Sequence, residues 1–188
     1  MPLPLGIKRV FSVDGGFLAD AANNILGFTF NGIDRFFLNK QGTSTNDNSD
    51  AGDIGEYQSI TVGAGDAVAA TTATPLNVTS LSLTAGDWDV SGTVNRALTG
   101  TTATQYVASI SPTSNTVPSQ AGGSGVAADS SVIENATFGT TVTGNYITAV
   151  GARVSIAATT TIYLVASATF SAGTVAVYGT LRARRVAH

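Results

Sequence analysis

The stretch Asp87-Trp88-Asp89-Val90-Ser91-Gly92-Thr93-Val94-Asn95 decides the fold class. Trp88, Val90 and Val94 fall on one side of a two-residue repeat, while Asp87, Asp89, Ser91, Thr93 and Asn95 fall on the other. Successive side chains of a strand point to opposite faces, so this alternation marks a strand with one apolar face and one wet face. Just before it, Thr84-Ala85-Gly86-Asp87 reads as a turn, with Leu81 and Leu83 on the preceding strand.

Working outward, the same texture recurs at 57–62, 67–72, 105–110, 132–138, 146–156, 161–170 and 174–181. Short strands spaced by turn residues predict an all-β, jelly-roll-like antiparallel β-sandwich. In Ile162-Tyr163-Leu164-Val165-Ala166 both faces are apolar, as in a strand covered on both sides. Residues 114–131 are mostly Ser, Gly, Ala, Pro and Asn and read as a long exposed loop.

Composition agrees. Of 188 residues, 43% are apolar and only 11% charged, well under the usual ~25%. Thr, Ser, Ala, Val and Gly replace the charge, which suits a pleated surface better than a helical one. There is no cysteine, and the one histidine is His188, so a thiol nucleophile, a zinc–thiolate centre and a Ser-His-Asp triad lack material. No run approaches 18 apolar residues, and MPLPLGIKRVFSVDGG has no apolar core of useful length, so neither membrane insertion nor secretion is expected. A formal charge of −3 argues against a nucleic-acid partner.

Residues 1–40 differ in character, with six of the eight phenylalanines and four of the nine basic residues. Asp14-Gly15 and Asn31-Gly32 each separate two short apolar runs and predict β-hairpins. Between them, 18–24 suits one helical turn. Two hairpins bury too little to stand alone, so this arm is expected to complete its core elsewhere. Phe28 and Phe30 on one strand, with Phe36 and Phe37 on its mate, are the candidate particle-docking residues; packing on the chain's own domain is the plainer option. Residues 41–55 (QGTSTNDNSDAGDIG) read as a polar linker, leaving 56–188 as the β-sandwich domain.

Four clusters invite chemistry. Asp47, Asp50, Asp53 and Glu56 resemble a calcium loop, but on EF-hand spacing from Asn46 the glycine position is Ala51 and the twelfth is Tyr57, so the acidic residues read as solvated turn formers. Asp87 and Asp89 share a strand face, without a second element to make an acid–base pair. Gly63-Ala64-Gly65-Asp66 is an ordinary turn without a following helix to cradle phosphate. Arg182, Arg184 and Arg185 form the one basic cluster, either salt-bridged at a strand end or pairing with the acidic linker or an acidic partner. No catalytic, cofactor or metal residues are assigned, and no enzyme is expected.

From Gly55 onward the sequence resembles a C-terminal β-domain of small virion structural proteins of tailed bacteriophages and prophages. The resemblance is carried by Gly55-Glu56-Tyr57, the segment Asn77-Val78-Thr79-Ser80-Leu81-Ser82-Leu83-Thr84-Ala85-Gly86-Asp87-Trp88-Asp89-Val90, Arg153-Val154-Ser155-Ile156, Thr160-Thr161-Ile162-Tyr163-Leu164-Val165-Ala166 and Gly179-Thr180-Leu181-Arg182-Ala183-Arg184-Arg185. It implies a trimeric, jelly-roll-like module without enzymatic activity, located in the virion after assembly in the host cytoplasm. The expected partners are two further copies of the chain and a phage capsid or tail protein held by residues 1–40. Capsid decoration or a short head fibre is the first expectation, since a 15-residue linker reaches at most ~50 Å. A tail-fibre or tail-tip protein touching a host surface glycan is the second.

Overall fold

A computed structural model describes residues 17–20, 25–30, 33–38, 48–118, 131–138 and 141–187. The chain divides into two units, Met1–Asp47 and Asn48–His188.

In the first unit, β1 (Phe17–Asp20), β2 (Ile25–Phe30) and β3 (Ile33–Leu38) form an antiparallel sheet in the order β1-β2-β3. The β2–β3 register pairs Phe30 with Ile33, leaving two residues for the turn, as a type I′ hairpin requires. That Asn31-Gly32 turn and the expected turn at Asp14-Gly15 lie outside the described residues. The predicted helical turn at 18–24 is corrected where it can be seen, because Leu18, Ala19 and Asp20 pair with Gly27, Leu26 and Ile25. An adjacent strand satisfies those backbone groups better than one isolated turn, which is costly to nucleate.

The second unit contains β4 (Tyr57–Val62), β5 (Val68–Ala69), β6 (Leu76–Leu83), β7 (Gly86–Thr99), β8 (Thr102–Ser111), β9 (Ser131–Phe138), β10 (Thr141–Ile156), β11 (Thr160–Ser171) and β12 (Thr174–Ala187). Leaving the short β5 aside, the pairings are nested: β8 with β9, β7 with β10, β6 with β11 and β4 with β12. Added contacts of β12 with β7 and of β11 with β8 split this long folded ribbon into two sheets, β10-β7-β12-β4 and β6-β11-β8-β9. All these pairs are antiparallel. This is the strand order of an eight-stranded jelly roll, and the expected fold class is what the chain adopts.

The core lies between the sheets and follows the period-two pattern. On β7, Trp88, Val90, Gly92, Val94 and Leu98 are buried, while Asp89, Ser91 and Thr99 are exposed. β8 contributes Tyr106, Ala108 and Ile110, β11 contributes Ile162, Leu164, Ala166 and Ala168, and β12 contributes Val175, Val177, Leu181 and Ala183. Val165 on β11 and Ser109 on β8 are fully buried as well, so both faces of the 162–166 run are covered. At Gly92 the facing sheet comes so close that a Cβ would lie 2.6 Å from Leu164 Cδ1. Ala172 and Gly173 both have positive φ (55° and 67°) and turn β11 into β12. β11 and β12 belong to different sheets, so this tight turn carries the chain from one sheet to the other.

The expected strand at 67–72 is reduced to Val68–Ala69 after a 3-10 turn at Ala64–Asp66. The chain changes sheets here. Ala70 donates to Val175 O on β12 (2.8 Å), whereas Ala73 donates to Ala168 O on β11 (2.7 Å). Thr72 Oγ1 exchanges hydrogen bonds with the Phe170 backbone, completing the transfer.

Candidate functional site

Inward-facing parity on β12 runs Leu181, Ala183, Arg185, so Arg185 follows apolar residues into the core rim opposite Trp88. There it makes the densest polar contact in the described structure. Its Nε donates to Glu56 Oε2 (2.9 Å), Nη1 to Ala85 O (2.7 Å) and Nη2 to Thr84 Oγ1. The guanidinium carbon stacks 4.2 Å from the Trp88 ring centroid, and Trp88 Nε1 donates to Thr84 O (2.9 Å). Glu56 also accepts from the Gly52 amide (2.8 Å) and Gln58 Nε2 (2.9 Å). Main-chain bonds from Gly55 N to Arg185 O and from Arg185 N to Glu56 O flank the ion pair.

Only 7% of the Glu56 side chain and 2% of the Arg185 side chain remain exposed. Burial on its own would raise the Glu56 pKa. The Gly52, Gln58 and Arg185 hydrogen bonds and the Arg185 charge outweigh it and hold the carboxyl below its ordinary value. Glu56 therefore departs from the solvated reading of the acidic cluster. Asp50 and Asp53 do shape turns, through Asp53 N to Asp50 O and Glu56 N to Asp53 O, both 3.0 Å. Asp47 lies outside the described residues.

A second arginine, Arg96, enters the core face of β7 after Val94 and is 2% exposed. It meets Glu134 Oε2 on β9 at 2.7 Å and lies 4.0 Å from the Tyr106 ring centroid. Sequence reasoning missed both buried arginines as such. The signal was parity: Arg96 continues the Trp88–Val94 face, and Arg185 the Leu181–Ala183 face.

Arg182 and Arg184 point the other way and are exposed. On the outer face they oppose Ser59 and Tyr57 of β4, and Ser91 and Asp89 of β7. Asp87, also outward, accepts from Arg153 Nη2 (2.9 Å). Hydrogen bonds first from Ser155 and then from Arg153 lower its pKa. The Asp87–Asp89 pair thus sits on an open sheet among arginines and hydroxyls. Asp66 closes the 3-10 turn through its backbone N–H to Gly63 O (3.0 Å). Among the described residues no three His, Cys, Asp or Glu side chains gather to hold a metal. No described helix is long and apolar enough to cross a membrane.

For the docking candidates the backbone gives position. Phe28 opposes Phe17 and Arg35, Phe30 opposes Ile33, Leu26 opposes Phe37, and Gly27 opposes Phe36. Phe28, Phe30 and Phe37 hold register positions of one face, and Phe36 holds one of the other. Of the 114–131 loop, residues 114–118 and 131 are described. Its start is pinned to β6, with Asn77 N donating to Asn115 Oδ1 (2.8 Å) and Asn115 N donating to Asn77 Oδ1 (2.7 Å).

No protein-family model matches the chain, and no curated protein does. Two solved structures are similar, both of infectious bursal disease virus. The structure of the Gt strain superposes with a TM-score of 0.39 at 13% identity, over 97% of this chain and 53% of that one. The VP2 subviral particle superposes with a TM-score of 0.34 at 11% identity, over 87% of this chain and 43% of that one. The chain spans about half the length of the viral chains it matches.

Proposed function

We propose that this chain is a non-enzymatic structural protein of a tailed-bacteriophage virion. Residues 1–40 hold it to the particle, and the jelly roll is displayed as a homotrimer, as capsid decoration or a short head fibre. The nested, fully antiparallel jelly roll carries this reading together with the sequence resemblance over 55–188. The ion pairs Glu56–Arg185, Arg96–Glu134 and Asp87–Arg153 serve as ties between chain segments. A chain lacking residues 1–40 is expected to remain folded and oligomeric yet absent from purified particles; particles carrying it at the wild-type level would overturn the anchoring role.

A tail-fibre or tail-tip role contacting a host surface glycan is the second reading. It is favoured by the exposed 113–116 segment, fixed in place by the reciprocal Asn77–Asn115 bonds. Gold label at the C-terminus, viewed on particles by electron microscopy, separates capsid from tail.

A further inference from the structure

Residues 48–56 lie ahead of β4 and outside any strand, yet they are folded onto the jelly roll. Two internal turns shape them, Asp53 N to Asp50 O and Glu56 N to Asp53 O, both 3.0 Å. Gly52 and Gly55 take φ of 93° and 95°, a left-handed backbone that favours glycine. These bends curl the segment back, so that the Gly52 amide reaches the Glu56 carboxylate four residues on (2.8 Å).

What fastens the curl to the roll is polar and concentrated at its last two residues. Glu56 Oε2 accepts from Arg185 Nε, Glu56 O accepts from Arg185 N, and Gly55 N donates to Arg185 O, each at 2.9 Å. Apolar burial adds no hold. Ala51 is exposed, and Ile54, the one large aliphatic side chain of the segment, is 59% exposed. A segment with few buried apolar contacts lies at the low end of local stability. The element that follows does not depend on it: β4 holds six registered pairs with β12, none of which involves 48–56.

We propose that residues 48–56 are a releasable strap, fastened by Glu56, that lets out chain ahead of β4 while the two sheets stay closed. One carboxylate does both jobs, closing the curl on Gly52 and bolting it to Arg185. Losing that group undoes both. The nine residues then supply up to ~30 Å of extended chain between the jelly roll and the N-terminal unit. The use of that length rests on the anchoring reading above: a displayed domain gains reach from its particle without unfolding.

Hydrogen exchange of the full chain, followed amide by amide at a series of low urea concentrations, tests it. The Gly52 and Gly55 amides are expected to exchange at least about 10-fold slower than in an unfolded chain. Their rate should be nearly flat in urea, because releasing the strap exposes little surface. The Val90 and Val94 amides of β7, a strand flanked on both sides, should be slower still, with a rate that climbs steeply. Glu56→Gln should speed the Gly52 amide about 5-fold or more and keep the flat dependence. Trp88 fluorescence checks the fold of the variant. Strap amides that exchange freely overturn the fastening. A slope shared with β7 makes 48–56 part of the roll's cooperative unit and overturns the release. An unchanged Gly52 rate in Glu56→Gln overturns the role of Glu56; if that variant does not fold, the wild-type urea series decides alone. None of these readouts involves the particle, so a failed strap leaves the anchoring role standing, and failed anchoring leaves the strap.

Discussion

Arg185 is held by a carboxylate, a carbonyl, a hydroxyl and an indole face at once, and this sets what its removal should do. Deleting one member of a buried ion pair strands the other without solvent. Arg185→Ala is therefore expected to cost about 3–5 kcal/mol in urea unfolding. Glu56→Gln keeps the shape and should cost less, about 1–3 kcal/mol, because its amide still accepts some of the same bonds. The double variant should cost less than the sum, since removing Arg185 already abolishes Glu56's share of the ion pair, leaving only its bonds to Gly52 and Gln58. The pH dependence has a definite sign. The folded-state pKa of Glu56 is depressed, so its stabilisation is complete above the ordinary value of 4.5 and is lost as pH falls from there through the depressed one. Asp87, also depressed, acts in the same direction with its value set against 3.8. Thermal melts from pH 7 to pH 3 should fall less steeply for Glu56→Gln than for wild type; identical slopes would show that the pair carries no proton linkage.

Among elements, β7 ties the two sheets' spacing to one missing side chain. Gly92→Ala places a methyl against Leu164, whose terminal carbon can move only within a closed core. A loss of about 1–3 kcal/mol is expected. Adding Leu164→Val should make the combined loss smaller than the sum, measured by the same denaturation. Gly173→Ala fails for a different reason. Its φ of 67° and the Thr99 and Gly100 backbone beside it leave no room for a Cβ, so a loss above about 1 kcal/mol is expected.

This scale also shows what the sequence made legible. The bounds 57–62 of β4 are legible as observed; β7 and β12 show by alternation, each having one face in the core, and β11 shows as a run apolar on both faces. The expectation of a strand over 67–72 overruns β5, because alternation is blind to a chain leaving one sheet for the other between Ala70 and Ala73. Residues 17–19 read both as the second run of the Asp14-Gly15 hairpin and, with 20–24, as a helical turn; β1 shows the strand, because four residues carry a helical preference too weak to compete with a neighbouring edge. The Glu56–Arg185 contact joins residues 129 apart in sequence, and only the first-with-last pairing of β4 and β12 brings them together. The inward direction of Arg185 is legible from its parity with Leu181, and an acidic partner near the linker is among the options; that Glu56 is the residue is not legible.

For the whole molecule, nested pairing places most contacts between segments far apart in sequence. Such topologies close large loops before they gain contacts, and fold slowly relative to helical chains of equal length. The β-domain is expected to refold on the millisecond-to-second scale, followed through its one tryptophan, Trp88, which is fully buried in the native state. Refolding within microseconds would contradict the topology.

Pairing the first strand with the last has a mechanical consequence. Antiparallel β4 and β12 bring the entrance and exit of the jelly roll to the same end, with Tyr57 opposite Arg184. A force separating those two ends would not shear the ladder but unzip it, one hydrogen bond after another, starting at that fork. The Glu56–Arg185 pair sits at the fork itself, so the tooth that must give way first is a desolvated charge pair stacked on a tryptophan.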